Sequence, residues 1–117
     1  MWTGLYVAGG GALGALLRWG VLQHISAPIG TFAVNVIGSF LIGWAVVLMS
    51  GFSSKWQLLV IAGVLGGFTT FSAFSLDVLK LLEADRVVAA MGYALGSVVL
   101  SLAAAALGLW MAKGFMS

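Results

Sequence analysis

Cysteine is absent from the 117 residues, which excludes disulfides, thiolate nucleophiles and cysteine-ligated metals and leaves the redox compartment undetermined. Charge is almost as scarce. Aspartate, glutamate, lysine and arginine make up 7% of the chain, where a soluble domain carries about one quarter. The three acidic residues, Asp77, Glu83 and Asp85, lie within one short region. No paired carboxylates, catalytic triad, phosphate-binding loop or metal-ligand cluster can be drawn from this inventory, so an enzyme is not expected. A net charge of +2 is too small to imply a nucleic-acid partner. Proline occurs once, as Pro28 in "HISAPIG", where it ends a helix rather than kinking one.

What is present is apolar. Hydrophobic residues form 62% of the sequence and the mean hydropathy is +1.18, the composition of an integral membrane protein. A hydrocarbon core of about 30 Å takes roughly 20 residues per spanning helix. The chain therefore reads as a single all-α transmembrane domain, 1–117, with four spans at about 3–23, 30–50, 56–81 and 87–112. The first apolar run, "MWTGLYVAGGGALGALL", begins at once and carries its only charge, Arg18, late. It lacks the basic start and small-residue cleavage site of a signal peptide and is expected to be a retained span. The connections "HISAPIG", "GFSSK" and "EADR" are short, so consecutive helices are antiparallel neighbours. Gly10 with Gly14, Gly63 with Gly67, and Gly92 with Gly96 have the spacing that lets membrane helices approach closely.

The orientation signal is flat. Lys55 and Lys113 fall on one side of the membrane, and Arg18, Lys80 and Arg86 at or near the other. Since lysine and arginine bias sets topology, either Arg18 is buried and uncounted or the chain inserts both ways. Dual insertion permits an antiparallel homodimer in which a mid-membrane segment meets its own inverted copy.

One segment does not suit a plain membrane helix. "GGFTTFSAFS", 66–75, holds paired glycines, a β-branched pair and four hydroxyls, all poor helix-centre choices. Two readings follow: a slightly bent helix whose glycines serve packing, or a helix broken near Gly66 to Ser72. A break exposes carbonyls from the first half and N–H groups from the second, and freed carbonyls are hard ligands for a small cation. Thr31, Asn35 and Ser39 in the second span, and Tyr93, Ser97 and Ser101 in the fourth, form stripes at four-residue spacing. Each is either interhelical glue or the wall of a polar pathway. Asn35 stands out, because a mid-span amide needs partners for two donors and an acceptor. Phe68, Phe71 and Phe74 share a face, for packing or for presenting positive ring edges to an anion. Arg18 reaches an interface or a vestibule mouth, and His24, alone at a span end, reads as interfacial.

Together, "GGALGALLRW", "GTFAVNVIGSFLIG" and "GGFTTFSAFS", in this order in a four-span chain, resemble the small fluoride channels called Fluc or CrcB. The resemblance implies a dual-topology antiparallel homodimer in a bacterial inner membrane, with two fluoride pores and a structural sodium ion at the dimer interface. It implies that the backbone carbonyls of Gly66 and Thr69 hold the sodium and that Phe71, Phe74, Asn35, Tyr93, Ser97 and Ser101 form the ion pathway. Arg18 corresponds to a vestibule arginine, Asp77 to the acidic residue after the phenylalanines, and Thr70 and Ser72 are further polar residues of the motif. The usual "TTFSTF" reads "TTFSAF" here, with Ala73 lacking a hydroxyl, and Ala105 stands where some relatives have threonine. Two other readings survive from the residues: a small proton-coupled exporter, for which Asp77 is the one carboxylate candidate, and an assembly subunit whose stripes bind another protein's helices.

Overall fold

The computed structural model describes residues 2–116, and they are helical apart from short connections. Helix α1 runs Thr3–His24, α2 Ile29–Leu48, and the last helix, α6, Val87–Met116. Between them, Ser54–Glu83 forms one membrane-length element composed of α3 (Ser54–Gln57), a π-helical stretch (Leu58–Leu65), α4 (Gly66–Phe68) and α5 (Phe71–Glu83). All four elements are long and apolar enough to cross a bilayer, and the chain is a multi-pass membrane protein. Pro28 sits at the N-cap of α2, where its missing N–H costs nothing. Gln57 ties the second connection by donating to the carbonyls of Met49 (2.9 Å) and Phe52 (3.0 Å). In the third, Asp85 takes φ 59° as the Arg86 N–H closes on the Leu81 carbonyl at 2.9 Å.

The third element is broken, and more narrowly than the glycines suggest. Gly66 and Gly67 are helical, and only Thr69 (ψ 157°) and Thr70 (φ −151°, ψ 122°) are extended. The glycines instead serve close approach, since a Cβ on Gly67 would lie 2.6 Å from the Gly11 carbonyl oxygen. The break redirects the chain. Its first half packs on α1, whereas α5 has no comparable contact with α1 and leans on α6.

Two seams of backbone contact hold the bundle. At the first, Gly10 meets Gly63 and Val64, a Cβ on Gly10 coming within 2.9 Å of both. The second joins α2 to α6 through residues that spacing alone does not single out. A Cβ on Gly43 would meet the Ala105 carbonyl and approach the Leu109 nitrogen at 2.9 Å, and one on Gly108 would meet the Phe40 carbonyl and lie 3.1 Å from the Trp44 nitrogen. Gly92 and Gly96, the pair expected on α6, have nothing within 4 Å of the place a Cβ would take among the described residues, so they form no such seam within the chain. Gly108→Val should therefore cost about 3 kcal/mol, the upper end of overpacking penalties, because backbone cannot yield as a side chain does. Gly92→Ala should leave the single-chain fold unchanged. Unfolding in mixed detergent, followed by tryptophan emission, compares the two; equal midpoints would contradict the seam.

Candidate functional site

The break is built around Thr70. An α-helix starting at Phe71 leaves its first N–H groups without partners, and Thr70 supplies one, its Oγ1 accepting from the Ala73 N–H at 3.2 Å. The same hydroxyl lies 3.2 Å from Ser72 Oγ. Thr69 turns back, its N–H and its Oγ1 each donating to the Leu65 carbonyl at 3.1 Å. What remains is the backbone of Thr70 itself, which at membrane depth needs partners from the protein or from a wet cavity.

Asn35 closes that gap. Its Oδ1 accepts from the Thr70 N–H at 2.8 Å and its Nδ2 donates to the Thr70 carbonyl at 3.0 Å, so one side-chain amide pairs with both groups as a neighbouring strand would. Gly38, one turn on, makes the room: a Cβ there would meet Thr69 Cγ2 and lie 3.3 Å from the Phe68 ring. The arrangement has a second consequence. The Thr70 and Ala73 N–H groups, which in an unbroken helix would close on the carbonyls of Gly66 and Thr69, are bonded elsewhere.

On one side of the break lies an open groove of about 290 Å³, lined by Asn35, Ser39, Thr69, Thr70, Phe71, Phe74, Ser97 and Ser101 with Ile42 and Val98. It brings together α2, α5 and α6, and among the described residues no charged one lines it. Ser97 is buried and its Oγ has no hydrogen-bond partner among the described residues. Asn35 keeps one Nδ2 hydrogen beyond the one given to Thr70. Phe71, exposed along 76% of its surface, packs on Phe74 with ring centroids 5.5 Å apart. The site thus offers hydroxyl, amide and ring-edge donors without a full charge.

Tyr93 does not line this groove. Its ring stacks on Phe74 at 5.4 Å and its hydroxyl donates to Asp77 Oδ2 at 2.9 Å, so a row of three rings ends on a buried carboxylate. Residues 16 apart in sequence give no spacing signal for that bond. Thr31 is buried outside the groove. Arg18 lies in a separate groove of about 420 Å³ with Trp19, Thr70, Ser72 and Ala73, so Thr70 borders both hollows. Ala73, which stands where the resembled motif usually has threonine, lines the arginine's groove. Ala105 packs at the α2–α6 seam against Gly43, so the hydroxyl stripe stops at Ser101. Among the described residues no group of three or more histidine, cysteine or acidic side chains is placed to hold a metal, and the hard ligands that the break itself offers are backbone oxygens.

The family model described as "CrcB-like protein, Camphor Resistance (CrcB)" matches residues 5–109. The chain is 43% identical over 122 residues to the "Fluoride-specific ion channel FluC" of Helicobacter pylori (strain Shi470), covering 96% of this chain and 94% of that one. It is also 43% identical to the protein of the same name from Helicobacter acinonychis (strain Sheeba), covering 96% of each. The "Fluoride-specific ion channel FluC 2" of Yersinia pseudotuberculosis serotype I (strain IP32953) is 41% identical over 126 residues, with 96% of this chain and 94% of that one covered. With four spans, a third helix broken at two threonines and agreement along nearly its whole length, the chain belongs to the CrcB family.

Proposed function

We propose that this chain forms a fluoride channel, lowering cytoplasmic fluoride by passive export across a bacterial inner membrane. The observation that carries the reading is the uncharged groove beside the break, whose lining brings Ser97, Ser101 and Asn35, with its spare N–H, together with Phe71 and Phe74. A small anion in hydrocarbon needs its hydration replaced, yet a cationic side chain in its path would hold it too tightly to conduct. Hydroxyl, amide and ring-edge donors replace water in small steps. Arg18, in the neighbouring groove, attracts anions toward the entrance without standing in the pathway. The names of the relatives agree with fluoride as the ion.

The working unit is an antiparallel homodimer with two pores. Gly66 is exposed on the single chain and the N–H that would close on its carbonyl is committed to Asn35. Such a group facing lipid is costly, and an inverted copy brings its equivalent to the same place. The carbonyls of Gly66 and Thr69 from both copies fit a structural sodium ion, a hard cation suited to neutral oxygen ligands. Bound there, sodium supplies positive potential to the pathway, while the chain's own residues carry the anion. A proton-coupled exporter has little support, because Asp77 is engaged with Tyr93.

Proteoliposomes loaded with fluoride, read with a fluoride electrode, should empty rapidly and electrogenically and far faster than when loaded with chloride. Folded protein without fluoride flux would overturn the channel reading. Purification with N-methylglucamine in place of sodium should suppress the flux; undiminished flux would remove sodium from the scheme and leave the fluoride pathway standing.

A further inference from the structure

A third hollow lies far from the break. About 600 Å³ in volume, it is formed where the end of α2 meets the end of α6 and is lined by Trp44, Trp110, Met111, Lys113, Gly114 and Phe115. Trp44 is held between Phe40, 5.9 Å away, and Phe115, 6.2 Å away. Trp110 and Phe115 are largely exposed. The floor is fixed, since Gly43 and Gly108 lock these two helices backbone to backbone.

Depth and charge indicate what fits. Helix α6 has 30 residues, about 45 Å at 1.5 Å per residue, against a hydrocarbon core of about 30 Å. Its last turn, with Lys113, therefore stands at headgroup level, and Trp110 one turn below lies where acyl chains begin. Among the described residues, Lys113 is the only charged one lining the hollow. The three acidic side chains belong to α5 or the turn after it, at the opposite end of α6. A cation at the mouth of an aromatic hollow, at the membrane surface and away from every acidic side chain, complements an anionic headgroup carried on an apolar tail.

We infer that this hollow is a binding site for an anionic phospholipid, with the headgroup phosphate on the Lys113 ammonium and the upper acyl chain against Trp44, Trp110 and Phe115. Interfacial tryptophans are common in membrane proteins as a general belt, but a belt has no preference among headgroups, and this site does. The inference stands apart from fluoride conduction and is tested without it.

The test uses full-length protein with Trp2, Trp19 and Trp56 replaced by phenylalanine, so that emission comes from Trp44 and Trp110. It is reconstituted in phosphatidylcholine vesicles doped with brominated phosphatidylglycerol or brominated phosphatidylcholine. Quenching should show an about fivefold preference for the glycerol lipid, the value of one lysine at an anionic surface. Lys113→Gln should bring the ratio to about one and Lys113→Arg should retain it. Lys55→Gln, the control lysine on the same side, should leave it unchanged. Equal quenching by the two lipids, or a loss as large in Lys55→Gln as in Lys113→Gln, overturns the site. So does exclusion of both lipids, the result if a second copy covers the hollow. Native mass spectrometry of the unsubstituted protein gives the same comparison without the tryptophan replacements: phosphatidylglycerol should be retained over phosphatidylcholine, and lost in Lys113→Gln.

Discussion

Asn35→Asp should lower fluoride efflux from proteoliposomes by at least about 100-fold. The substitution removes the Nδ2 donor that meets the Thr70 carbonyl at 3.0 Å and sets a carboxylate oxygen against that carbonyl. Loss of a buried polar partner costs about 1–3 kcal/mol and more when charge is involved. The added negative charge also faces the groove. Two like charges about 4 Å apart repel by about 4 kcal/mol at the effective dielectric of a protein's periphery, which alone exceeds two decades in rate. Electrode-detected efflux provides the measurement, with detergent unfolding alongside it. The unfolding midpoint should fall too, because the Thr70 backbone loses part of the cross-helix support that Asn35 gives it. Flux at the unsubstituted rate would show that the ion does not pass this groove.

Phe71→Ile should lower efflux about tenfold while leaving stability nearly unchanged. Phe71 is 76% exposed on the single chain, and its side chain neither caps α5, which Thr70 does, nor fills the core, so the change should stay within about 0.5 kcal/mol. What isoleucine removes is the ring: its edge toward the groove and its contact with Phe74. Aromatic geometry of this kind is worth about 0.5–1.5 kcal/mol, up to about one decade. A fall in flux without a fall in unfolding midpoint places the ring in the pathway. Unchanged flux would remove it, and parallel loss of both would make it a packing residue.

These two positions show different degrees of legibility. Phe71 and Phe74 lie three apart in one helix, so their shared face follows from the helical period, and so does the alignment of Ser97 with Ser101. Asn35 stands out in the sequence as a mid-span amide in need of partners, but nothing there says which partners. Thr70 lies 35 residues away, in a bundle whose seam glycines, Gly43 and Gly108, lack the four-residue spacing that marks Gly92 and Gly96. The glycine pair at 66–67 points to the right segment for the wrong local reason. Both glycines stay helical, and the two threonines beyond Phe68 leave the helix because Asn35 can satisfy the Thr70 backbone there. Tyr93 belongs to a hydroxyl stripe by spacing, yet its hydroxyl is spent on Asp77 and its ring supports Phe74 from behind.

By itself the sequence determined the membrane setting, the four spans, the segment that breaks and the hydroxyls available to a pathway. All of these depend on composition and on local periodicity, which a single chain displays directly. Only the tertiary structure decided which glycines form seams, that the extended residues are Thr69 and Thr70, and that the Asn35 amide serves as the missing strand for Thr70. It also decided that Arg18 occupies a separate hollow from Ser97. Each is settled by the approach of backbones remote in sequence: in a bilayer, close packing and satisfied polar groups replace the hydrophobic effect as the forces that select one arrangement.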